Sequence, residues 1–346
     1  MDMTYEVTIG IPVYNVEKYI RESLESALVQ TFPDIEFLIC DDCGTDSSMT
    51  IVEEYQNNHP RGKDIRIVRQ PHNMGLGCAR NRMITEAIGK YIYFMDSDDL
   101  LSPNTIELMY EQAQKYDLDM VYGSMEKVLL YDNGRCLKNI DFDYHLFLHE
   151  DEFATWAYEK YDRIQATTCN FLIKLDVYRQ NGIHYKPINY WEDFTTTMDL
   201  PTYVTRVVML PDVTYHYMCR SGSMSNYQQR DRIQKREILQ TMQAVEMIKN
   251  NSERIKHKPF FSKRMLKVMM TCFYVCCTIL NNWDKVSPRF EKQELRDFMH
   301  YPVSLGRILS YKANYWTHLM LYIIGVLPPS FSVAIMRIVG KSKGLL

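Results

Sequence analysis

Three carboxylates lie within four consecutive residues directly after a strongly apolar segment. Asp96, Asp98 and Asp99 follow residues 91–95, which are all aromatic or aliphatic. This pattern predicts a buried strand with the three carboxylates close together at its C-terminal end, where they repel one another if water is excluded. A hard divalent cation, Mn²⁺ or Mg²⁺, would relieve the repulsion and keep coordination positions for substrate phosphates. The alternative is an acidic turn before a helix, which needs no metal because carboxylates are favoured at a helix N-terminus.

Two other polar segments follow predicted strands near the N-terminus. Pro12, Tyr14 and Asn15 end a first apolar strand, and Asp41 and Asp42 end a second. Strand and helix patterns then alternate, which predicts an α/β fold with an open, mostly parallel central sheet and helices on both faces. Ligands bind to such sheets outside the carboxyl ends of the strands. The polar segments should therefore converge at one edge of the sheet and form an active site.

The patterns in the following part of the chain are weaker. They predict short strands at residues 120–122 and 127–130, a polar loop at 132–150, and two strands at 204–209 and 213–218. Glu192 and Asp193 open a predicted helix, where the helix dipole favours them, so both could be purely structural. Arg220 and Ser223 belong to a polar loop with one cation.

The composition of the chain indicates its cellular compartment and limits its possible partners. The chain has 346 residues, a net charge of −3 and nine cysteines without a framework spacing. We find no secretory signal, so we expect free thiols in a reducing compartment and hence a cytoplasmic protein. The basic part of the chain, towards the C-terminus, lacks the interleaved aromatic residues and the base-recognition motifs of nucleic-acid-binding proteins. We therefore expect no nucleic-acid partner.

Residues 226–346 are predicted to form a helical, basic C-terminal region. From residue 301 onwards there is no Asp or Glu, but there are five Lys or Arg residues. The apolar runs at 319–327 and 331–339 are shorter than the ~20 residues that span a bilayer. With their aromatic and cationic flanks they are typical of peripheral helices at an anionic membrane, here the inner face of the cell membrane. The alternative is a helical hairpin that packs on the core or on a second subunit as a homodimer.

Five short motifs occur in order along the first part of the chain. They are Val-Thr-Ile-Gly-Ile-Pro-Val-Tyr-Asn at 7–15, Leu-Val-Gln-Thr-Phe at 28–32, Asp-Asp-Cys-Gly-Thr-Asp at 41–46, Asn-Met-Gly with Ala-Arg-Asn at 73–81, and Asp-Ser-Asp-Asp at 96–99. In this order and spacing they resemble the family-2 inverting glycosyltransferases of bacterial polysaccharide type, which have the Rossmann-like GT-A fold. The resemblance implies a GT-A domain over residues 1–225, with a nucleotide-binding half at about 1–125 and an acceptor half at about 126–225.

The resemblance implies how the donor substrate is bound. Pro12, Tyr14 and Asn15 would flank the base, and Asp42, with Asp41 beside it, would contact the base imide. Asn73 and Arg80 would close the nucleoside pocket, and Asp96 would reach the ribose. Arg220 and Ser223 would close over the diphosphate. The donor is expected to be a nucleotide sugar, and the resemblance favours a UDP-sugar because UDP-sugars are common donors in the family.

The resemblance also implies the chemistry. Asp98, with Asp99 sharing the role, would bind the Mn²⁺ or Mg²⁺ that bridges the diphosphate. The pair Glu192 and Asp193 matches the catalytic base motif, with Asp193 as the base that removes a proton from an acceptor hydroxyl. The hydroxyl oxygen would attack the anomeric carbon of the sugar and invert its configuration. The expected acceptor is a glycan or a lipid-linked sugar.

Two departures from the family pattern lead to further expectations. The usual Asp-Asp-Gly-Ser-Thr-Asp is Asp-Asp-Cys-Gly-Thr-Asp here, so the turn should differ and Cys43 could lie near the nucleotide. The Gln-x-x-Arg-Trp motif of processive members is absent, which favours transfer of a single sugar over polymer extrusion.

Two other functions are open at this stage. A non-catalytic, nucleotide-sugar-binding scaffold subunit of a polysaccharide assembly complex would use the same fold, but it would not need intact carboxylates at all three places. A nucleotidyltransferase that forms sugar nucleotides would need a Gly-rich, cationic phosphate loop after the first strand, and residues 12–15 do not provide one. A transfer or hydrolysis assay separates an enzyme from a scaffold.

Overall fold

The computed structural model describes residues 5–129, 135–160, 167–219 and 232–346. The chain divides into two compact units. The first comprises Met1–Phe153 and Asp162–Ser223, and the second comprises Ala154–Tyr161 and Met224–Leu346. Every predicted site residue that the structure describes belongs to the first unit. The division of residues 1–225 into a nucleotide-binding half and an acceptor half stays a prediction.

A ten-stranded sheet forms the centre of the first unit. Its strands are β1 (Tyr5–Val13), β2 (Ile35–Asp41), β3 (Ile65–Arg69), β4 (Gly89–Phe94), β5 (Leu100–Leu101), β6 (Met120–Leu129), β7 (Arg135–Ile140), β8 (His145–Phe147), β9 (Phe171–Lys174) and β10 (Val207–Cys219). The order across the sheet is β3-β2-β1-β4-β9-β6-β10-β5, with β7 beside β6 and β8 beside β10.

Most strands of this sheet run in one direction. β1 pairs in parallel with β2 and β4, and β2 pairs in parallel with β3. β9 is antiparallel to both of its neighbours, β4 and β6, so that β6 points the same way as β4, and β10 is parallel to β6. The predicted α/β fold class is confirmed: six of the ten described strands run in one direction, whereas β5, β7, β8 and β9 run the opposite way.

Seven α-helices lie within the described part of residues 5–200, and the first, third, fourth and sixth of them pack against this sheet. In chain order they are α1 (Ile20–Leu28), α2 (Ser48–Asn58), α3 (Leu76–Glu86), α4 (Thr105–Lys115), α5 (Glu152–Glu159), α6 (Leu175–Gln180) and α7 (Glu192–Thr197). On α1 the buried residues Ile20, Leu24 and Leu28 are four positions apart and form one face. Every residue of β2 is buried, as expected for a central strand that is covered on both sides. Each large aliphatic side chain buried here contributes about 1.5–3 kcal/mol to folding.

Three strand predictions in the second half of this unit are wrong. β6 runs without a break where two short strands were expected. β10 is also one strand where two were expected, and register shifts between Met209 and Tyr215 accommodate the segment with Pro211. β7 and β8 lie within the predicted loop. Their partners β6 and β10 satisfy their backbone groups, so that pairing outweighs the polar sequence.

The second unit is helical, which confirms the predicted C-terminal extension. Its helices after α5 are α8 (Lys235–Ser252), α9 (Phe261–Asn281), α10 (Lys292–Phe298), α11 (Leu305–Leu309), α12 (Tyr315–Val326) and α13 (Pro329–Ser342). A short parallel pair joins β11 (Ile233–Gln234) to β12 (Val286–Ser287). Among the described helices α9 alone is long and apolar enough to cross a membrane, by length and composition, and 61% of its apolar window is buried within the protein.

Candidate active site

The carboxyl ends of β1, β2 and β4 lie side by side. β1 is between the other two strands, and all three run in the same direction. Two backbone hydrogen bonds join the residues directly after β2 and β4 to β1, from Asp42 N to Val13 O and from Met95 N to Gly10 O, each 3.0 Å long. The three polar segments therefore converge at one edge of the sheet, as the predicted topology requires.

Asn15 shapes the loop that follows β2. Its Oδ1 accepts a hydrogen bond of 2.7 Å from Thr45 N. Gly44 is so near that a Cβ atom there would lie 2.9 Å from this oxygen. Cys43 adopts a left-handed φ of +58°, a conformation that glycine adopts without strain. The displaced glycine therefore makes room for Asn15, while Cys43 occupies the left-handed position and its Sγ lies 3.1 Å from Gln70 O.

Asp41 and Asp42 hold backbone amides of the surrounding loops. Asp42 is buried, and its two oxygens accept hydrogen bonds from Met74 N (2.8 Å) and Gly75 N (3.0 Å). Asp41 accepts from Cys43 N at 2.9 Å. A carboxylate oxygen has two lone pairs, so Asp42 can still accept a hydrogen bond from a ligand. Of the other predicted donor-site residues on these segments, Pro12 is buried in β1, whereas Tyr14 and Asn73 are exposed.

Asp99 is the buried member of the acidic motif after β4. Its Oδ2 accepts a hydrogen bond of 2.7 Å from the Tyr215 hydroxyl, and its Oδ1 accepts one of 2.8 Å from Met218 N. Burial first, and then the charges of Asp96 and Asp98, raise the pKa of Asp99 well above its ordinary value. Asp96 and Asp98 themselves are partly exposed. This environment favours a positioning role for Asp99 over the metal-binding role that the sequence predicts.

The hydroxyl of Tyr215 connects the acidic motif to β10. It donates to Asp99 and accepts a hydrogen bond of 3.2 Å from Asp96 N. Tyr215→Phe would leave two polar groups without this partner, and we expect the free energy of unfolding to fall by about 1–3 kcal/mol. Urea denaturation measures the loss. Tyr91→Phe is the matched control, because the hydroxyl of this equally buried tyrosine makes a weaker hydrogen bond of 3.4 Å to Leu118 O. Equal losses in the two variants would contradict this account.

Arg80 joins two carboxylates from distant parts of the chain. It lies on α3 and is 2% exposed. Its Nη1 donates to Glu192 Oε1 at 3.0 Å, and its Nη2 donates to Asp96 Oδ1 at 3.2 Å. Burial alone would lower the pKa of Arg80, but the charges of Asp96 and Glu192 outweigh it and raise the pKa, so the side chain stays cationic. The structure thus shows Arg80 as a bridge between the acidic motif and α7, while its predicted contact with the nucleoside stays a prediction.

Asp193 lies in the first turn of α7, beside the Arg80 bridge. The helix begins directly after Trp191, whose φ of +63° is unusual for an aromatic residue. Burial first, and then the charge of Glu192, raise the pKa of Asp193 to about 7, although Arg80 acts in the opposite direction. Part of Asp193 is still accessible to solvent. A reachable carboxylate with this pKa is suited to accept a proton at neutral pH.

The acidic motif fits a metal that takes most of its ligands from a substrate. Within the described parts of the chain, no group of three His, Cys, Asp or Glu residues is placed to hold a metal ion by itself. Magnesium and manganese at nucleotide sites need only one or two carboxylates, with phosphate oxygens and water as the other ligands. Asp98, with Asp96 beside it, provides this number. A cation would also relieve the repulsion that contributes to the raised pKa of Asp99.

Two predicted site residues lie outside the described part of the chain, and two tyrosines in the site were not predicted from the sequence. Arg220 and Ser223 lie outside the described residues. Tyr215 and Tyr185 were not predicted, yet Tyr215 binds Asp99, and the guanidinium of Arg80 lies 5.5 Å from the centre of the Tyr185 ring. A tyrosine in an apolar strand indicates a core position, and no sequence signal distinguishes one whose hydroxyl binds a carboxylate 116 positions away.

Comparison with known proteins gives consistent results. The sequence model described as "Glycosyl transferase family 2" matches residues 8–180. The glycosyltransferase GlyG of Streptococcus pneumoniae serotype 4 is 28% identical over 235 residues, which are 64% of this chain and 73% of that protein. Chondroitin synthase of Escherichia coli is 44% identical over 154 residues, which are 44% of this chain but 20% of that protein. The crystal structure of S. aureus TarS 1–349 in complex with UDP-GlcNAc has a TM-score of 0.70 and 20% identity, and the match covers 98% of this chain and 91% of that chain.

The fold and the relatives define a glycosyltransferase of GT-A fold. The chain belongs to glycosyl transferase family 2, of bacterial polysaccharide type, because the matched segment is half of its length. That segment contains the ends of β1, β2 and β4 but stops before Glu192 and Asp193. The functional assignment of these two residues therefore depends on their geometry.

Proposed function

We propose that the protein transfers one sugar from a nucleotide diphosphate sugar, with a UDP-sugar as the favoured donor, to a hydroxyl of a glycan or lipid-linked acceptor, with inversion at the anomeric carbon. The observation that carries the proposal is the Arg80 bridge, in which one buried guanidinium holds both Asp96 of the acidic motif and Glu192 next to Asp193. The TarS complex with UDP-GlcNAc supports a nucleotide-sugar donor, and the likeness to chondroitin synthase supports a glycan acceptor.

Asp193 is the catalytic base in this proposal. It accepts the proton of the acceptor hydroxyl as the hydroxyl oxygen bonds to the anomeric carbon and the bond from that carbon to the diphosphate breaks. The attacking and leaving oxygens lie on opposite sides of the carbon, so a single displacement inverts its configuration. With a pKa of about 7, a substantial fraction of Asp193 is ionised at neutral pH, and it still has useful affinity for a proton.

The ends of β1 and β2 bind the nucleotide. The exposed ring of Tyr14 offers a surface for the base, with Pro12 and Asn15 on either side of it in the chain. Asp42, already oriented by two amides of the segment at residues 74–75, accepts a hydrogen bond from the base imide. Asp41 keeps the turn after β2 in place through Cys43 N.

The remaining donor contacts come from the neighbouring segments. Asn73, on the exposed turn before α3, contributes to the nucleoside pocket, and Asp96 reaches the ribose. By the family resemblance, Arg220 and Ser223, which lie outside the described residues, would contact the diphosphate.

Asp98 holds the metal in this proposal. When bound, Mn²⁺ or Mg²⁺ neutralises the charge that grows on the leaving diphosphate. Asp99 fixes the backbone of the motif through Tyr215 and Met218 and thereby orients Asp98.

Donor binding can be tested by calorimetric titration with UDP, GDP and dTDP, each with and without Mn²⁺. We expect one nucleotide, UDP, to bind in a metal-dependent manner. Asp98→Ala should weaken this binding by at least about tenfold, whereas the exposed Asp212→Ala is the matched control and should not change it. Unchanged UDP affinity in Asp98→Ala would contradict the metal role, and folded protein that binds no nucleotide would contradict the proposed function.

The stereochemistry of transfer needs a separate measurement. With an α-linked donor, NMR of the anomeric proton of the product should show a β-linkage. A product with the α-configuration would contradict the single displacement at Asp193.

A further inference from the structure

α12 has apolar side chains on two opposite sides. Leu321 and Ile324 are buried in the second unit, whereas Trp316 is 78% exposed and Ile323 and Val326 are also exposed. At 100° per residue, the three exposed side chains lie on the side of the helix that is opposite the buried pair. An ordinary surface helix would carry polar residues there.

α13 has the same arrangement. Val333 and Met336 are buried, while Phe331 is 66% exposed and Ile338 is 68% exposed. These last two residues are seven positions apart, which is two helical turns, so they lie on the same side of the helix. We call α12 and α13 together the C-terminal hairpin. Each of its helices thus exposes an apolar stripe.

The charges in the sequence segment that contains the C-terminal hairpin have one sign. Residues 301–346 contain no Asp or Glu. Four of the five cations in this segment have exposed side chains: Lys312, Arg337, Lys341 and Lys343. Exposed apolar side chains next to exposed positive charge match the chemistry of an anionic lipid surface, where the acyl region accepts the apolar groups and the head groups accept the cations.

We propose that the C-terminal hairpin is a docking surface for an anionic phospholipid membrane. α12 has 12 residues and is about 18 Å long, well short of the ~30 Å hydrocarbon core, so it would lie in the membrane surface. A symmetric homodimer through this surface is disfavoured, because each cationic segment would face a second copy of itself. The inference does not rest on the proposed transfer reaction.

Co-sedimentation of the full chain with vesicles tests this inference. We expect binding to phosphatidylglycerol-containing vesicles that falls on raising the salt, and binding to pure phosphatidylcholine vesicles that is weaker by about tenfold or more. The double variant Phe331→Ser/Ile338→Ser should reduce binding to anionic vesicles by about tenfold or more. Lys341→Glu/Lys343→Glu should do the same.

Two exposed residues elsewhere in the second unit provide matched controls. Leu239→Ser on α8 and Lys285→Glu before β12 change the same kinds of side chain and should leave vesicle binding unchanged. Protein that stays in the supernatant with anionic vesicles would overturn the inference, and so would equal binding by the hairpin variants. Sedimentation equilibrium gives a further contrary outcome: a dimer that Phe331→Ser/Ile338→Ser dissociates, without vesicle binding, would identify a self-association surface instead.

Discussion

Asp193→Asn should lower kcat for glycosyl transfer by about 10²–10⁴-fold and leave the affinity for the donor nucleotide unchanged. The amide can still accept the hydrogen bond that Asp193 Oδ1 takes from Phe194 N at 2.7 Å, so the turn at the start of α7 should persist. The amide cannot accept the proton of the acceptor hydroxyl. Initial rates of transfer, measured together with nucleotide titration, separate the two effects.

The pH dependence gives a second readout for the same residue. Because burial and Glu192 raise the pKa of Asp193 to about 7, the fraction of ionised base increases as the pH rises through 7, and kcat/KM should rise with it. The folded state binds this proton more tightly than the unfolded chain does, so this group makes the protein less stable as the pH rises from about 4 to about 7. Asn does not ionise, and the variant should be at least as stable as the parent above pH 7.

Two further variants test whether the loss of activity is specific to Asp193. Asp176→Asn, an exposed change on α6, should leave kcat and the pH profile unchanged. Near-normal turnover in Asp193→Asn would show that Asp193 is not the base. If Glu192→Gln abolished transfer while Asp193→Asn did not, the base would be Glu192.

Arg80→Met should destabilise the protein by about 3–5 kcal/mol, because it leaves the buried charge of Glu192 and the partly buried charge of Asp96 without their shared cation. Methionine keeps the apolar part of the side chain but lacks the guanidinium that lies beside Tyr185. Arg82→Met, two residues further along α3, is the matched control. Arg82 is exposed and pairs with Glu86 on the surface, so its loss should cost less than about 1 kcal/mol.

A positioning role for Arg80 has a further signature in the pH profile. Arg80 lowers the pKa of Asp193, so in a folded Arg80→Met variant the rise of kcat/KM should move to higher pH. If Arg80→Met does not fold, the double variant Arg80→Met/Glu192→Gln removes the buried charge as well and should recover part of the stability. Loss of stability without any shift of the pH profile would indicate that Arg80 supports only the fold.

The convergence of the candidate site could be predicted because it depends on local patterns. Apolar segments that end in Asn15, Asp42 and Asp96 indicate strands, and the alternation with helices makes those strands parallel, so their ends must meet. The left-handed conformation of Cys43 could be predicted only in part. The displaced glycine indicates a different turn, but it does not indicate which residue adopts the positive φ.

The contacts between distant segments could not be predicted. Arg80 and Glu192 are 112 positions apart, and nothing in either motif indicates that one guanidinium binds both carboxylates. The hydrogen bonds of Asp42 to residues 74–75 likewise depend on how the turn before α3 folds back. β7 and β8 were read as a loop because their strand character comes from the neighbours β6 and β10, which are supplied by the tertiary structure.

The position of β9 has a consequence for biosynthesis. β9 lies between β4 and β6 and is antiparallel to both, so residues 171–174 close a gap in the middle of the sheet. When residues 1–129 have left the ribosome, β6 is complete but the strand that joins it to β4 is still missing. Until β9 emerges, β4, which ends two residues before Asp96, has an open edge, which is a hazard for aggregation in a nascent chain. The carboxylates at positions 96, 98 and 99 therefore reach their final surroundings only after the chain has continued well beyond the acidic motif.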